Sequence, residues 1–255
     1  MNKTTIVTGY YGSGKTEFCI NYALELRKRL AASKPFKIEQ NGEALNTSLG
    51  TLSEAISKTL VSTAEQKIYI ADLDVINPYF RSREKADYLE RHNIQIVGNA
   101  LGNNVGQDIP ALSFNFLPLI KKGERVILDL AGGENGLNVL AGCYSSISSY
   151  EFLCVFNLYR EETNNVEKMI HFVNKINSIS KLPITGIVNN GNMLHETNSE
   201  HILSSQKAIL GVCQELNIPF RYTLVKNSVY RQVKDKILSD EVMVFNELKM
   251  REKWQ

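Results

Sequence analysis

Apolar residues along this chain keep two rhythms. In one, β-branched and apolar residues follow one another without a break, as in strands of a sheet buried on both faces. Thr4-Thr5-Ile6-Val7-Thr8 begins this series. Similar runs predict strands at 67–73, Ile94–Val97, 124–130, 152–157, 184–188 and 220–225. In the other rhythm, apolar residues return every three or four positions. Phe18, Ile20, Ala23, Leu24, Leu26 and Leu30 do so and predict a helix over 17–30. The same reading predicts helices over 82–92, 108–121, 161–179, Ser199–Leu216, 228–236 and 240–253. Asp108 and Pro110 mark the start of one of them. Strand and helix alternate regularly, which predicts an α/β fold: a three-layer sandwich. Its mainly parallel, twisted sheet of about seven strands carries helices on both faces.

One stretch departs from the alternation. Residues 31–50 carry Pro35, Gly42 and several Asn and Ser and read as loop, with Phe36-Lys37-Ile38 as a candidate short strand. Leu52, Ile56 and Leu60 then share a helical face over 52–63. This exceeds the usual connection between a helix and a strand. The chain is therefore expected to form one domain, 1–255, with an inserted segment at 33–66 that packs at its periphery, acts as a lid or offers a partner surface.

The candidate chemistry lies where strands end. Gly9-Tyr10-Tyr11-Gly12-Ser13-Gly14-Lys15-Thr16 fits G-x-x-x-x-G-K-[ST], a P-loop, between the first strand and the first helix. A helix N-terminus offers unpaired N–H groups and the positive end of its dipole to an anion. Gly9, Gly12 and Gly14 let the backbone approach phosphates, with Ser13 among them. Lys15 is expected to reach the β- and γ-phosphates and Thr16 to place its hydroxyl on Mg²⁺. The second strand delivers Asp72 and Asp74 to its C-terminal edge, where α/β sheets bind ligands. Val126-Ile127-Leu128-Asp129 is an apolar run ending in a carboxylate, the form of a Walker B metal ligand. Gly132 and Gly133 follow it and could turn an N–H toward a γ-phosphate. Asn189 and Asn190 end the sixth strand, where a base is often contacted. No N-K-x-D guanine signature stands there, which favours ATP over GTP. Arg81, Arg83 and the Gly- and Asn-rich residues 98–107 are further candidates near the same edge.

Composition narrows the classes. The 255 residues are 43% hydrophobic and 22% charged, with net charge +2, so no basic block asks for nucleic acid. No apolar run approaches a membrane span, and no leader pattern precedes the first strand. The apolar and basic positions of 240–253 suggest at most a helix lying on a membrane, and a docked C-terminal helix is the simpler reading. Cys19, Cys143, Cys154 and Cys213 are scattered and read as buried thiols of a reducing cytoplasm. The four histidines lack metal-ligand spacing, and no nucleophile triad stands out. Nucleic acid and membrane are therefore not expected partners.

Taken together, Gly12-Ser13-Gly14-Lys15-Thr16-Glu17, the following Asn21-Tyr22-Ala23-Leu24, Asp72-Leu73-Asp74 and the strand ending at Asp129 resemble the SIMIBI class of P-loop NTPases. Within it the chain is most similar to the MinD/ParA and cobyrinic acid a,c-diamide synthase superfamily. The stretch 72–84 is similar to a branch described as ATP-binding proteins. The resemblance implies ATP–Mg²⁺ binding, slow hydrolysis and an ATP-bound homodimer that acts as a switch on a protein partner. It implies Lys15 and Asp74 as catalytic groups, with Asp74 orienting water. It implies Thr16, Asp74 and Asp129 around Mg²⁺, residues Gly9 to Glu17 with Gly133 around the phosphates, and Asn189 or Asn190 at the adenine. It also implies an alternative, an ATP-dependent small-molecule enzyme: a kinase or a carboxylate-activating ligase like dethiobiotin synthase. One departure stands out. Such proteins place a second lysine, which crosses to a partner's nucleotide, where this chain has Tyr10. Arg81 or Arg83 is a candidate for the missing charge.

Overall fold

The computed structural model describes residues 4–32, 67–73, 85–97 and 115–250. The strands are β1 (Thr4–Thr8), β2 (Ile68–Leu73), β3 (Ile94–Val97), β4 (Arg125–Leu130), β5 (Tyr150–Phe156), β6 (Gly186–Asn189), β7 (Phe220–Lys226) and β8 (Glu241–Phe245). They form one sheet in the order β3-β2-β4-β1-β5-β6-β7-β8. Every pairing in it is parallel. The helices are α1 (Lys15–Ala32), α2 (Ala86–Glu90), α3 (Leu117–Lys121), α4 (Asn135–Ala141), α5 (Val166–Ile179), α6 (Ser199–Leu216) and α7 (Asn227–Val233).

Strand alternation sorts side chains between two layers. Ile6, Leu128, Phe152 and Phe156 face α4, α5 and α6, whose Leu140, Phe172, Ile176 and Ile209 are buried against them. Val7, Ile127, Leu153 and Val155 face α1, meeting Phe18, Cys19, Tyr22 and Ala23. A smaller cluster of Ile202, Val225, Val229 and Val233 seats α7. The central strands are buried on both faces, which is why their sequences lack polar alternation.

The sheet order places the functional edge. After β1 the chain travels to β2 and β3, returns as β4 between β2 and β1, and crosses to β5 on the other side. Strand order thus reverses at β1, and a crevice opens outside its C-terminal end. Asp129 pairs in register with Val7 on one side and Asp72 on the other, so both carboxylates sit at that end.

Several elements differ from the sequence expectation. Where a helix is expected over 240–253, residues 241–245 instead form β8, paired in parallel with β7 from Tyr222↔Glu241 to Lys226↔Phe245. Its apolar residues alternate with period two: Met243 and Phe245 are buried, while Val244 is 38% exposed. Arg29 of α1 fixes its start through an ion pair with Glu241 at 2.6 Å. A membrane-lying helix there is thereby excluded for 241–245. Among the described residues the sheet accordingly has eight strands, against the expected about seven. Helix α4 had no counterpart in the sequence reading. The helix expected over 161–179 breaks into a 3₁₀ turn (Glu161–Thr163) and α5, because Asn165 caps α5 by accepting the Lys168 N–H at 2.9 Å. The helix expected over 228–236 likewise ends in a 3₁₀ turn (Lys234–Lys236). Of the helices expected over 82–92 and 108–121, the described parts are α2 and α3. Segment 33–66 lies outside the described residues, as do Asp74, Arg81, Arg83 and the loop 98–107. Among the described residues, no helix is long and apolar enough to cross a membrane.

A buried polar cluster ties α1 to β5 and β7. Tyr22 and Tyr222 donate to the Glu151 carboxylate at 3.2 and 3.5 Å, and Arg221 Nε donates to it at 3.1 Å. Burial first, then the Glu151 charge, pushes the Tyr22 phenol up to about 12. Burial also raises Tyr222, with Tyr22 and Glu151 adding to it. A phenol whose folded pKa exceeds its unfolded value near 10 stabilises the fold below pH 10 and loses that contribution as pH rises further. Urea unfolding is expected to show stability falling between pH 10 and 12. Tyr22→Phe is expected to make that fall shallower. An equal slope in the variant would show that other groups govern it.

Candidate nucleotide-binding site

Residues 9–14 carry the chain from β1 into α1. The loop closes on itself through Ser13 N–H to Tyr10 O at 3.1 Å, and α1 starts with Phe18 N–H to Gly14 O at 2.9 Å. Gly14 has φ +85°, and a Cβ there would overlap the Asn190 amide. That amide donates to Ser13 O at 2.7 Å and clamps the loop from β6. Lys15 is 6% exposed and folds back so that Nζ donates to Tyr10 O at 3.2 Å. Thr16 lies in the first turn of α1, half-buried. A cavity of about 360 Å³ opens here, lined by Gly12, Gly14, Lys15, Thr16, Arg160 and Asn190 among others.

Asp129 is 1% exposed. Its carboxylate bears on the Cys19 thiol one turn into α1. Burial raises that thiol well above its ordinary pKa, Asp129 adds to the rise, and Lys15 opposes it. One buried sulfur thus reports both a carboxylate and an ammonium within electrostatic reach. Cys143 and Cys213 are also raised, to about 11, and Cys154 further still, all by burial. All four are free thiols; Cys19, Cys143 and Cys154 are buried, as the sequence reading expected, while Cys213 is half-buried.

The glycine turn after β4 leans on the P-loop. Gly133 N–H donates to Gly9 O at 3.2 Å. A Cβ on Gly132 would stand 3.1 Å from Tyr11 N and 3.5 Å from Lys15 Nζ. Helix α4 follows at once, and Glu134 at its N-cap pairs with Lys175 of α5.

The remaining expected residues have varied surroundings. Asn189 is fully buried. Its Oδ1 accepts from Gly191 N–H and Ser205 Oγ at 3.0 and 2.8 Å, so its amide faces the interior. Asn190 faces the cavity while holding Ser13. Glu17 turns its carboxylate away from the loop: it accepts the N–H groups of Lys249 and Met250, all at 2.9 Å, and the Asn21 amide at 2.7 Å. These bonds latch the strap after β8 to the start of α1, with Leu248 and Met250 in the cavity wall. Glu17→Gln replaces one acceptor oxygen by a donor facing N–H groups. It is expected to weaken the latch by about 1–3 kcal/mol. Amide hydrogen exchange at 246–250 should speed up in the variant; unchanged exchange would mean that the strap is held by its apolar contacts.

The donor set fits a nucleotide with Mg²⁺. Thr16 offers a hydroxyl and Asp129 a carboxylate, both hard oxygen donors near a phosphate cradle. Among the described residues, no group of three or more His, Cys, Asp or Glu could hold a metal. Mg²⁺ commonly completes its shell with phosphate oxygens and water, so Thr16 and Asp129 need not be joined by such a cluster. Two features were missed by the sequence reading: the Glu17 latch and Arg160, which follows β5 by four residues. The position of Arg160, just past an all-apolar central strand beside the P-loop strand, was the available signal.

No protein-family model matches the chain, and no curated protein matches it. Among solved structures it is similar to the cell division protein FtsY from Thermotoga maritima, with TM-score 0.49 and 16% identity, covering 88% of this chain and 62% of that one. Chloroplast FtsY from Physcomitrella patens gives 0.49 and 14%, covering 88% and 58%. The signal recognition particle receptor FtsY from Elizabethkingia anophelis, in complex with GDP, gives 0.48 and 14%, covering 88% and 57%. The chain spans about three fifths of the length of these structures. At such scores the likeness adds nothing to what the site itself supports. The parallel sheet and its P-loop make this an α/β fold of the P-loop NTPase kind.

Proposed function

We propose that the chain binds ATP with Mg²⁺ at the P-loop, hydrolyses it slowly, and acts as a nucleotide-dependent switch on a protein partner in the cytoplasm. The observation that carries the switch is the contact between the turn after β4 and the P-loop. Gly133 N–H is held by Gly9 O, beside Lys15. A γ-phosphate entering there competes for that N–H and for the Lys15 ammonium. Among the described residues nothing lies within 4 Å of the Gly133 Cβ position, so none of them blocks a swing of the turn. The swing would move α4 directly, and α5 through Glu134 and Lys175. In this reading Lys15 binds phosphate, Thr16 and Asp129 hold Mg²⁺, Asp74 orients water, and the ATP form is a homodimer.

The test compares limited proteolysis and sedimentation velocity in ATP-Mg²⁺ and ADP-Mg²⁺, with Asp74→Ala to trap the triphosphate form. Different patterns in the two nucleotides support a switch; identical ones count against it.

A second reading has its own observation. A cavity of about 630 Å³ adjoins the first, beyond Leu194 and Leu248, and Lys85, Lys226 and Lys249 line it with Tyr88 and Phe245. Lysines around an apolar floor suit an anionic metabolite. That favours an ATP-dependent kinase or carboxylate-activating ligase. ATP turnover that rises sharply with one metabolite would favour this reading over the switch.

A further inference from the structure

The P-loop strand has a second neighbour, β5, whose end carries a turn built with unusual care. Asn157 is 2% exposed. Its Oδ1 accepts Tyr159 N–H at 3.1 Å and Asn192 N–H at 3.3 Å, and its Nδ2 donates to Asn192 O at 3.0 Å. Its carbonyl accepts Thr163 Oγ1 at 2.7 Å and Arg160 N–H at 3.2 Å. Tyr159 is tied in turn to α6 by donating to His201 O at 3.0 Å. The backbone of 157–163 is thus fixed from within and from both sides.

The residue this turn presents is Arg160. Its Nε donates to Gly12 O at 3.1 Å, and a Cβ on Gly12 would stand 3.2 Å from that nitrogen. The guanidinium lines the same cavity as Lys15 and Thr16. One of its five N–H donors is used by Gly12. Among the described residues, no carboxylate forms an ion pair with it. Meanwhile Tyr10 is withdrawn from the site: its ring packs 4.8 Å from Phe172 in the core against α5. Tyr10 therefore contributes no charge to a phosphate, in its own chain or in a partner.

We propose that Arg160 is a phosphate-binding arginine supplied by the same chain, closing the nucleotide site on the β5 side, opposite Asp129. It takes over, from within one chain, the positive charge that Tyr10 leaves out. The inference rests on the nucleotide reading above. Its physical basis is geometric. A single bond to an exposed carbonyl is a weak reason to immobilise a long flexible side chain. A pre-positioned guanidinium offers paired, charge-assisted donors to a phosphate. Sitting on the β5 side, it meets the diphosphate part of the chain, so ATP and ADP share the contact.

The test uses the full chain and fluorescent N-methylanthraniloyl derivatives of ATP and ADP. Arg160→Gln keeps an amide that can donate to Gly12 O but removes the charge. It is expected to raise both dissociation constants by roughly 10- to 100-fold. It should also lower the slope of log Kd against log salt concentration, with the unliganded melting temperature unchanged. Wild-type affinity and salt slope in Arg160→Gln would overturn the proposal and leave Arg160 as a support for Gly12. Equal parts of Lys15→Ala and Arg160→Gln proteins test the same-chain claim. A mixture without sites of wild-type affinity supports it, and a fraction of sites with restored wild-type affinity means that Arg160 acts across a dimer. If Lys15→Ala binds both nucleotides as wild type does, the nucleotide reading itself fails, an outcome distinct from failure at Arg160.

Discussion

Lys15→Ala is expected to raise the dissociation constant for ATP-Mg²⁺ by about 100-fold or more, which is about 3 kcal/mol or more. The side chain is almost fully buried, and its ammonium is already bent over the loop toward Tyr10 O. A buried charge in a site of low dielectric is worth several times its value in water. The same site holds Asp129 and Asp72, both of which raise the Cys19 thiol while Lys15 lowers it. Removing the ammonium therefore leaves phosphates facing carboxylates with less cation between them. Calorimetric titration of wild type and variant with ATP-Mg²⁺ measures the effect. A variant that binds as tightly as wild type would remove the case for a nucleotide site here. Loss of binding with an unchanged melting temperature would show that Lys15 serves the ligand rather than the fold.

How much of this site could be read from the sequence depends on distance along the chain. The P-loop turn was legible because it is local: eight consecutive residues form it, and the strand before it and the helix after it are visible in hydrophobic rhythm. Asp129 was legible for the same reason, as the last polar residue of an apolar strand. The Glu17 latch was not, because its partners, Lys249 and Met250, lie more than 230 residues away. Nothing near Glu17 announces them, and a carboxylate after a P-loop reads equally well as a ligand contact. Asn189 and Asn190 illustrate the limit of residue type alone. Adjacent at the end of β6, one in the strand and one just past it, they serve opposite ends, so one amide is spent inside on Ser205 and Gly191 while the other grips Ser13. Strand β8 was misread because Val242, Phe245 and Leu248 have helical spacing while Met243 and Phe245 have strand spacing. Only the neighbouring β7 edge decides between the two. Helix α4 is seven residues with a glycine inside, too short for periodicity to register.

Gly9→Ala is the substitution expected to damage the fold most among those at the site, by roughly 2–4 kcal/mol. Two costs act together. The residue has φ +155°, which an L side chain rarely adopts. Its Cβ would also stand 2.5 Å from Val155 O and 2.7 Å from Ser13 Oγ. Val155 O is backbone of a central strand and cannot turn aside as a side chain could. Either β1 and β5 must separate or the P-loop must lift, and in both cases the phosphate cradle is lost with the stability. For a chain of this size the melting temperature should fall by about 5–15 °C. Gly133→Ala separates the two costs. Gly133 has φ +70°, but among the described residues nothing lies within 4 Å of where its Cβ would sit. It should cost only the conformational part, about 1–2 kcal/mol. Thermal unfolding of both variants beside wild type gives the answer. A larger loss at Gly9 than at Gly133 means that the close approach of β5 to the first P-loop residue dominates. Equal losses would mean that backbone conformation alone explains the glycine at each position and that the contact with Val155 relaxes at little cost.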